Sequence, residues 1–401
     1  MEALLDLVGR PHERLKAFHV AGTNGKGSVS ATLASVLRTD GKRVALYTSP
    51  HLVDFRERFQ IDGVAITEAD VTDWITRRTP DVERLNATFF EATTAMAFEL
   101  FAAAGVDVAV IEVGLGGRLD ATNVITPVVA GVASIGIDHV EYLGHTREQI
   151  AYEKAGIFKP GRPAVIGERD PAIRELLARF AREAGASSVH VVADEYTLSD
   201  VVVEPAGGTT FALDSVRFHT TLSGEHQASN AAVAIAMLRA AGSPHSPSDE
   251  VLRAGLDKVF LPGRFQRVGS FIFDVAHNPD GAAVLARTLA TVGPPRPIVA
   301  VLSVLSDKDW RGVMGALAGV VNLFILTNAP TAPANRAWRV DDAQAFATEQ
   351  GWHAVAVPDF PDALSRARAG ASAHGGTVLV TGSFHTVGDA MVSLLLDPFG
   401  G

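Results

Sequence analysis

Residues 17–39, AFHVAGTNGKGSVSATLASVLRT, constrain the fold more than any other stretch of the chain. A short apolar run breaks at three glycines and a lysine, then passes straight into small and apolar residues at helical spacing. A strand that feeds a helix through so short a loop belongs to a layered α/β arrangement. The theme then recurs. Residues 17–22, 43–49, 106–114 and 127–136 read as strands, and 27–39, 89–104, 147–158, 171–184 and 226–241 as helices, which predicts a mostly parallel sheet. After the turn dipeptide Pro262-Gly263 the alternation starts afresh, with strands at 271–277, 297–304, 322–329, 353–357 and 377–383. The expected boundary lies near 262–270. It divides a first domain, 1–262, of P-loop ATPase type from a Rossmann-like α/β domain, 263–401, with the site in the cleft between them. The weakly hydrophobic stretch 190–225 reads as an antiparallel appendage to the first domain.

Composition supports two cores, since 47% of the 401 residues are hydrophobic. There is no cysteine, which excludes disulfides and thiol catalysis and leaves only oxygen and imidazole ligands for a metal. Mg²⁺ suits that set. A formal net charge of −10 argues against a nucleic-acid or anionic-membrane surface. The N-terminal segment carries acids and lacks a signal-peptide core, and no run of about 18 uncharged apolar residues occurs, so a cytoplasmic protein is expected.

The first loop has the chemistry of a phosphate cradle. Backbone N–H groups of Gly22, Thr23, Asn24, Gly25, Lys26, Gly27 and Ser28 can close on phosphate oxygens at a helix N-terminus. Lys26 would hold the β- and γ-phosphates of ATP, and Ser28 offers a hydroxyl to Mg²⁺. Gly27, between Lys26 and Ser28, departs from the general P-loop pattern. Glu112 ends a strand and precedes a Gly-rich turn, so its carboxylate emerges where α/β sheets bind ligands. Asp138 and His139 follow another strand end, and Lys154 lies on a helix opened by a capping box from Thr146 to Gln149. No GxSxG elbow is present.

GTNGKGS resembles the P-loop of the Mur ligase superfamily, and specifically of its folate branch, the folylpolyglutamate synthases and bifunctional dihydrofolate synthases. Four further segments carry the resemblance in the family's order: YTSPHLVDFRERF (47–59), EVGLGGRLDATN (112–123), IGIDHVEYLGHTREQIAYEKAGIFKPG (135–161) and DVAHNPDG (274–281). The resemblance implies ligation of L-glutamate to dihydropteroate or to a folate tail, through an acyl phosphate made from ATP. It implies Mg²⁺ near Glu112, His139 and a carbamylated Lys154, and nucleotide contacts from Asn230, Arg264, Asp274 and His277. Ser49, Pro50, His51 and Arg56 are implied for folate, with Phe89, Phe90 and Glu91 as a candidate pteridine wall. Ser383 and His385 are candidates for the glutamate pocket. Partners are then small molecules and the expected state is a monomer. A peptidoglycan-type ligase, a P-loop kinase and a regulatory NTPase remain alternatives, as does the choice between synthase and tail extender.

Overall fold

Strand Ala17–Ala21 is buried at every position, as the central strand of a sheet covered on both faces must be. It pairs in parallel with Val108–Glu112 on one side and Val129–Val132 on the other. In the computed structural model, which describes residues 1–398, these three strands centre an eight-stranded sheet. Val44–Tyr47 extends it beyond Val108–Glu112, and Ala164–Ile166 and Val189–Val191 extend the opposite side, all in parallel. Strands Phe59–Ile61 and Val64–Ala65 close one edge in antiparallel fashion. Strands this short carry no alternation for a sequence pattern to register. Helix Glu68–Arg84 likewise escapes the sequence reading, because Pro80 inside it looks like a breaker.

Helix Lys26–Thr39 is buried from Ser28 to Leu37 because it is held against the sheet by helices Glu225–Ala241 and Asp249–Leu256. The second of these three helices is alanine-rich, and Ala228, Ala231, Ala232 and Ala234 join Phe18, Val20 and Leu33 in one core. Small side chains let the helices approach closely enough to bury the whole of the P-loop helix. Within the stretch 190–225, Leu198–Val203, Thr209–Leu213 and Val216–Thr220 form a separate antiparallel sheet, whereas His190 and Val191 belong to the parallel eight-stranded sheet and Val192–Glu195 is a helical turn. Phe211 and Phe218, stacked with ring centres 5.7 Å apart, bind it to the first core.

The last sheet has six strands in the order Gln266–Val268, Phe271–Asp274, Thr377–Thr381, Ile298–Leu302, Leu323–Leu326, Ala354–Ala356, parallel except for the first. Successive residues of a strand point to opposite faces. Phe271 and Phe273 therefore enter one core with Val299 and Val301, while Ile272 enters another with Ala300 and Leu302. The carboxyl ends of this sheet and of the eight-stranded one open on a single cleft. No helix among the described residues is long and apolar enough to cross a membrane.

Candidate active site

Three loops leave the carboxyl ends of the central strands and meet on one wall of a cleft of about 1300 Å³. Loop 22–25 is tied to the end of strand Val129–Val132: Thr23 N–H donates to the Ser134 carbonyl (2.7 Å), and Thr23 Oγ1 accepts from Gly136 N–H (3.0 Å). The Ser134 hydroxyl donates in turn to the Asn24 carbonyl (2.9 Å). Gly25 caps the helix with φ of 86°, and a Cβ there would stand 2.5 Å from Asn230 Oδ1. The positive φ favours glycine, and any side chain there would also have to displace the Asn230 amide. Lys26 Nζ donates to the carbonyls of Gly22 (2.9 Å) and Thr23 (3.2 Å), and Lys154 Nζ donates to the same Gly22 carbonyl (2.9 Å). Two lysines 128 positions apart thus meet on one peptide oxygen. Burial, then the Lys26 charge, pushes the Lys154 amine down to about 7. Burial also lowers Lys26, against the opposing pull of Glu112 and Asp138.

Glu112, at the end of its strand, is 5% exposed. Burial pushes its carboxyl up to about 7, although Lys26, Arg264 and the Ser49 N–H favour the ionised form. A Cβ on Gly27 would lie 3.8 Å from Glu112 Oε2 and 3.9 Å from Arg264 Nη2, which places carboxylate and guanidinium together beside the P-loop.

Asp138 is the point at which the two halves of the chain lock. Lys308 Nζ reaches its Oδ1 at 2.5 Å, while Asn278 Nδ2 and His277 Nε2 lie 3.2 and 3.4 Å from its Oδ2. Burial raises this carboxyl, yet the His277 hydrogen bond and the charges of Lys308 and His139 outweigh it and hold it well below the usual carboxylate range. His139 adopts the left-handed conformation (φ 51°) at the start of a short helix, and burial leads in pushing its imidazole down to about 4. It is neutral at neutral pH.

From the second half, Arg264 lies 5.1 Å from the Phe384 ring centre. Asp274 accepts the N–H groups of Phe265 and Ala276, each at 2.9 Å. Burial lowers the guanidinium and raises the carboxyl, and each offsets the other. Asn230, Val284, Leu285 and Thr288 also line the cleft. The Ser383 hydroxyl accepts Thr386 N–H (3.0 Å) as a helix cap, and His385 Nδ1 lies 3.0 Å from Thr331 Oγ1; both residues line the cleft.

The part of the cleft near residues 49–58 departs from the sequence reading. Ser49 and Pro50 line the cleft, whereas His51 and Arg56 do not. Arg56 instead pairs with Asp54 (2.6 Å) and Glu68 (3.6 Å), and Arg58 takes the cleft position with His51 on its Nε at 2.9 Å. Phe89, Phe90 and Glu91 all line the cleft. Phe90 packs so tightly over Gly114 that any Cβ there would overlap its ring, and Phe89 is 63% exposed at the mouth. Lys308, Asn278 and Arg58 escaped the sequence reading. Arg58 and Asn278 nonetheless lie within the segments 47–59 and 274–281 that carry the resemblance, and Lys308 is a cation shortly after a strand end.

Among the described residues no three His, Asp or Glu side chains gather as a metal site. Mg²⁺ nonetheless needs few protein ligands, since water and phosphate oxygens complete its octahedron. Ser28 and Glu112 offer oxygens beside the loop, and a dication would restore the ionised form that burial disfavours on Glu112. Lys154 fits only as a carbamate, because its amine is a donor to Gly22.

Residues 20–238 match the Mur ligase middle domain and residues 263–384 the Mur ligase glutamate ligase domain. The chain is 38% identical over 381 residues to a dihydrofolate synthase/folylpolyglutamate synthase of Mycobacterium tuberculosis, covering 88% of this chain and 77% of that one. It is 37% identical over 385 residues to the Escherichia coli protein of the same description, covering 93% and 85%. Among solved structures, the M. tuberculosis folylpolyglutamate synthase complexed with ADP superposes with a TM-score of 0.90 at 36% identity, over 99% of this chain and 94% of that one.

Proposed function

Because the chain belongs to the Mur ligase family, in its dihydrofolate synthase/folylpolyglutamate synthase branch, we propose that this cleft is where its ligation is carried out and that the residues above divide the work as follows. The enzyme is an ATP-dependent ligase that adds L-glutamate to dihydropteroate, to the terminal glutamate of a folate, or to both. The observation that carries the assignment of roles is the convergence of the loop 22–28, Glu112 and Lys154 with Arg264, Asp274 and His277 on one cleft.

The acceptor carboxylate attacks the γ-phosphorus of ATP, the bond to the β-phosphate oxygen breaks, and ADP and an acyl phosphate result. The loop N–H groups and Lys26 spread the charge on the transferring group, and Arg264 approaches from the second domain. Mg²⁺, held by Ser28 and Glu112 with His139 and carbamylated Lys154 nearby, would supply further positive charge to the phosphates. Burial keeps the Lys154 amine close to neutral, which is the form that carbon dioxide can carbamylate. The amine of glutamate then attacks the acyl carbonyl, loses its proton, and phosphate leaves. Asn230, with Val284 and Leu285 on the same cleft, holds the base, Asp274 and His277 the ribose and phosphates, and Ser383 and His385 border the glutamate. Closing two domains over an acyl phosphate excludes the water that would hydrolyse it. We place the domain boundary at 262/263. One chain supplies every wall of the cleft, and we infer a monomer that works in the cytoplasm, where ATP is made and used.

The test is phosphate release from ATP and Mg²⁺ with glutamate, comparing dihydropteroate, tetrahydrofolate and no acceptor, with products weighed by mass spectrometry. Release that requires an acceptor and adds one glutamyl mass supports the reading, and the active acceptor decides between synthase and extender. Release indifferent to glutamate would point to a nucleotide switch instead.

A further inference from the structure

Arg58 has no role in the scheme above, although it is only 8% exposed and lies on the cleft wall. Among the described residues no carboxylate pairs with it. Its neighbour Glu57 is committed elsewhere, accepting the backbone N–H groups of Leu52, Val53 and Asp54 at 2.7 to 2.8 Å. Asp54 in turn is taken by Arg56. Arg58 Nε donates to His51 Nδ1 at 2.9 Å, which fixes the guanidinium plane from behind. The rings of Phe55 and Phe89 lie 6.0 and 5.7 Å from its centre. What remains uncommitted is the forked Nη edge, on the side of the cleft that Ser49, Phe89 and Phe90 also line.

A guanidinium removed from water without a counter-charge is costly unless an anion completes it, and its paired donors match a carboxylate in bidentate fashion. The phosphates already have Lys26, the loop N–H groups and Arg264. We propose that Arg58 anchors a carboxylate of the substrates of ligation, supplied either by the acceptor or by the incoming glutamate. The inference rests on the ligase reading. Held from behind by His51 and flanked by two rings, the fork presents one edge and so orients the carboxylate as well as attracting it.

The experiment uses the full chain carrying Arg58→Gln or Arg58→Lys, with phosphate release measured while ATP, glutamate and acceptor are varied in turn. For Arg58→Gln the KM of one carboxylate substrate should rise about 10- to 100-fold, the loss expected for a charged hydrogen-bonded contact. The KM for ATP should stay within about twofold. Arg58→Lys, which keeps the charge but not the fork, should recover part of the loss and serves as the test if the glutamine variant does not fold. A raised acceptor KM identifies the acceptor's carboxylate, and a raised glutamate KM identifies the amino acid's. Both carboxylate KM values unchanged, or a shift confined to ATP, would overturn the proposal. Wild-type protein that shows no glutamate-dependent release would instead fail the ligase reading, before any variant is compared.

Discussion

Asp138→Asn should open the cleft without unfolding either domain. The substitution neutralises the carboxylate on which Lys308 (2.5 Å), Asn278 (3.2 Å) and His277 (3.4 Å) converge from the second domain. Asp138 is 8% exposed and the Lys308 side chain 9%, so the ammonium would be left buried against a neutral amide. Removing one partner of a buried pair costs about 3–5 kcal/mol, mostly as the price of the orphaned charge. That cost has a ceiling here, because the domains can part and let Lys308 regain water. The closed state should therefore lose about 3 kcal/mol relative to the open one, a population shift on the order of 100-fold. If closure precedes phosphoryl transfer, kcat falls by a similar factor, while the melting temperature drops by only a few degrees. Small-angle scattering of the unliganded variant should show a larger radius of gyration than wild type. Adding Lys308→Met removes the stranded cation and should bring the scattering profile back toward wild type. A kcat within about threefold of wild type together with an unchanged radius would refute the argument.

Two further outcomes follow from the same geometry. Lys26→Ala should cost turnover more than about 10³-fold while leaving the melting temperature nearly unchanged, because the ammonium stabilises transferring charge and its own partners are two loop carbonyls; near-normal kcat would remove Lys26 from the chemistry. Burial, with a smaller contribution from Lys159, pushes the imidazole of His19 down to about 3, so between pH 6.5 and that value the unfolded chain binds the extra proton and stability falls as pH falls. By pH 4.5 the loss from this group is roughly 2–3 kcal/mol. His19→Gln, which can keep the bond to Thr122, should flatten denaturant midpoints over that range, and an unchanged slope would show that His19 is not the acid-sensitive group.

Part of the site was legible before any coordinates. The loop 22–28, the strand-end position of Glu112 and the cap of Thr146 on Gln149 N–H all appear where the sequence predicts them. Each depends on residues within a turn or two of one another. Which residues of 49–58 line the cleft was only partly legible, for the opposite reason. Arg56 and Arg58 sit two positions apart in one motif, and which of them meets the cleft depends on Glu57 gathering the 52–54 backbone and on strand Phe59–Ile61 pairing at the sheet edge. The aromatic pair at 89–90 splits similarly, since Phe90 can pack inward only because Gly114, on a different loop, has no side chain.

By itself, then, the sequence determined the two α/β layers, the direction of the central strands into their loops, and a Gly-rich loop at a helix N-terminus with a carboxylate nearby. Backbone sterics, glycine at positive φ and the periodicity of apolar residues act over a few positions, so a short window contains their cause. Only the tertiary structure decided that Lys154 shares a carbonyl with Lys26, that Lys308 closes on Asp138 across 170 positions, and that Arg58 rather than Arg56 faces the cleft. Those juxtapositions arise from how whole sheets and domains pack, an energy summed over many weak contacts, and no single segment of the chain contains it.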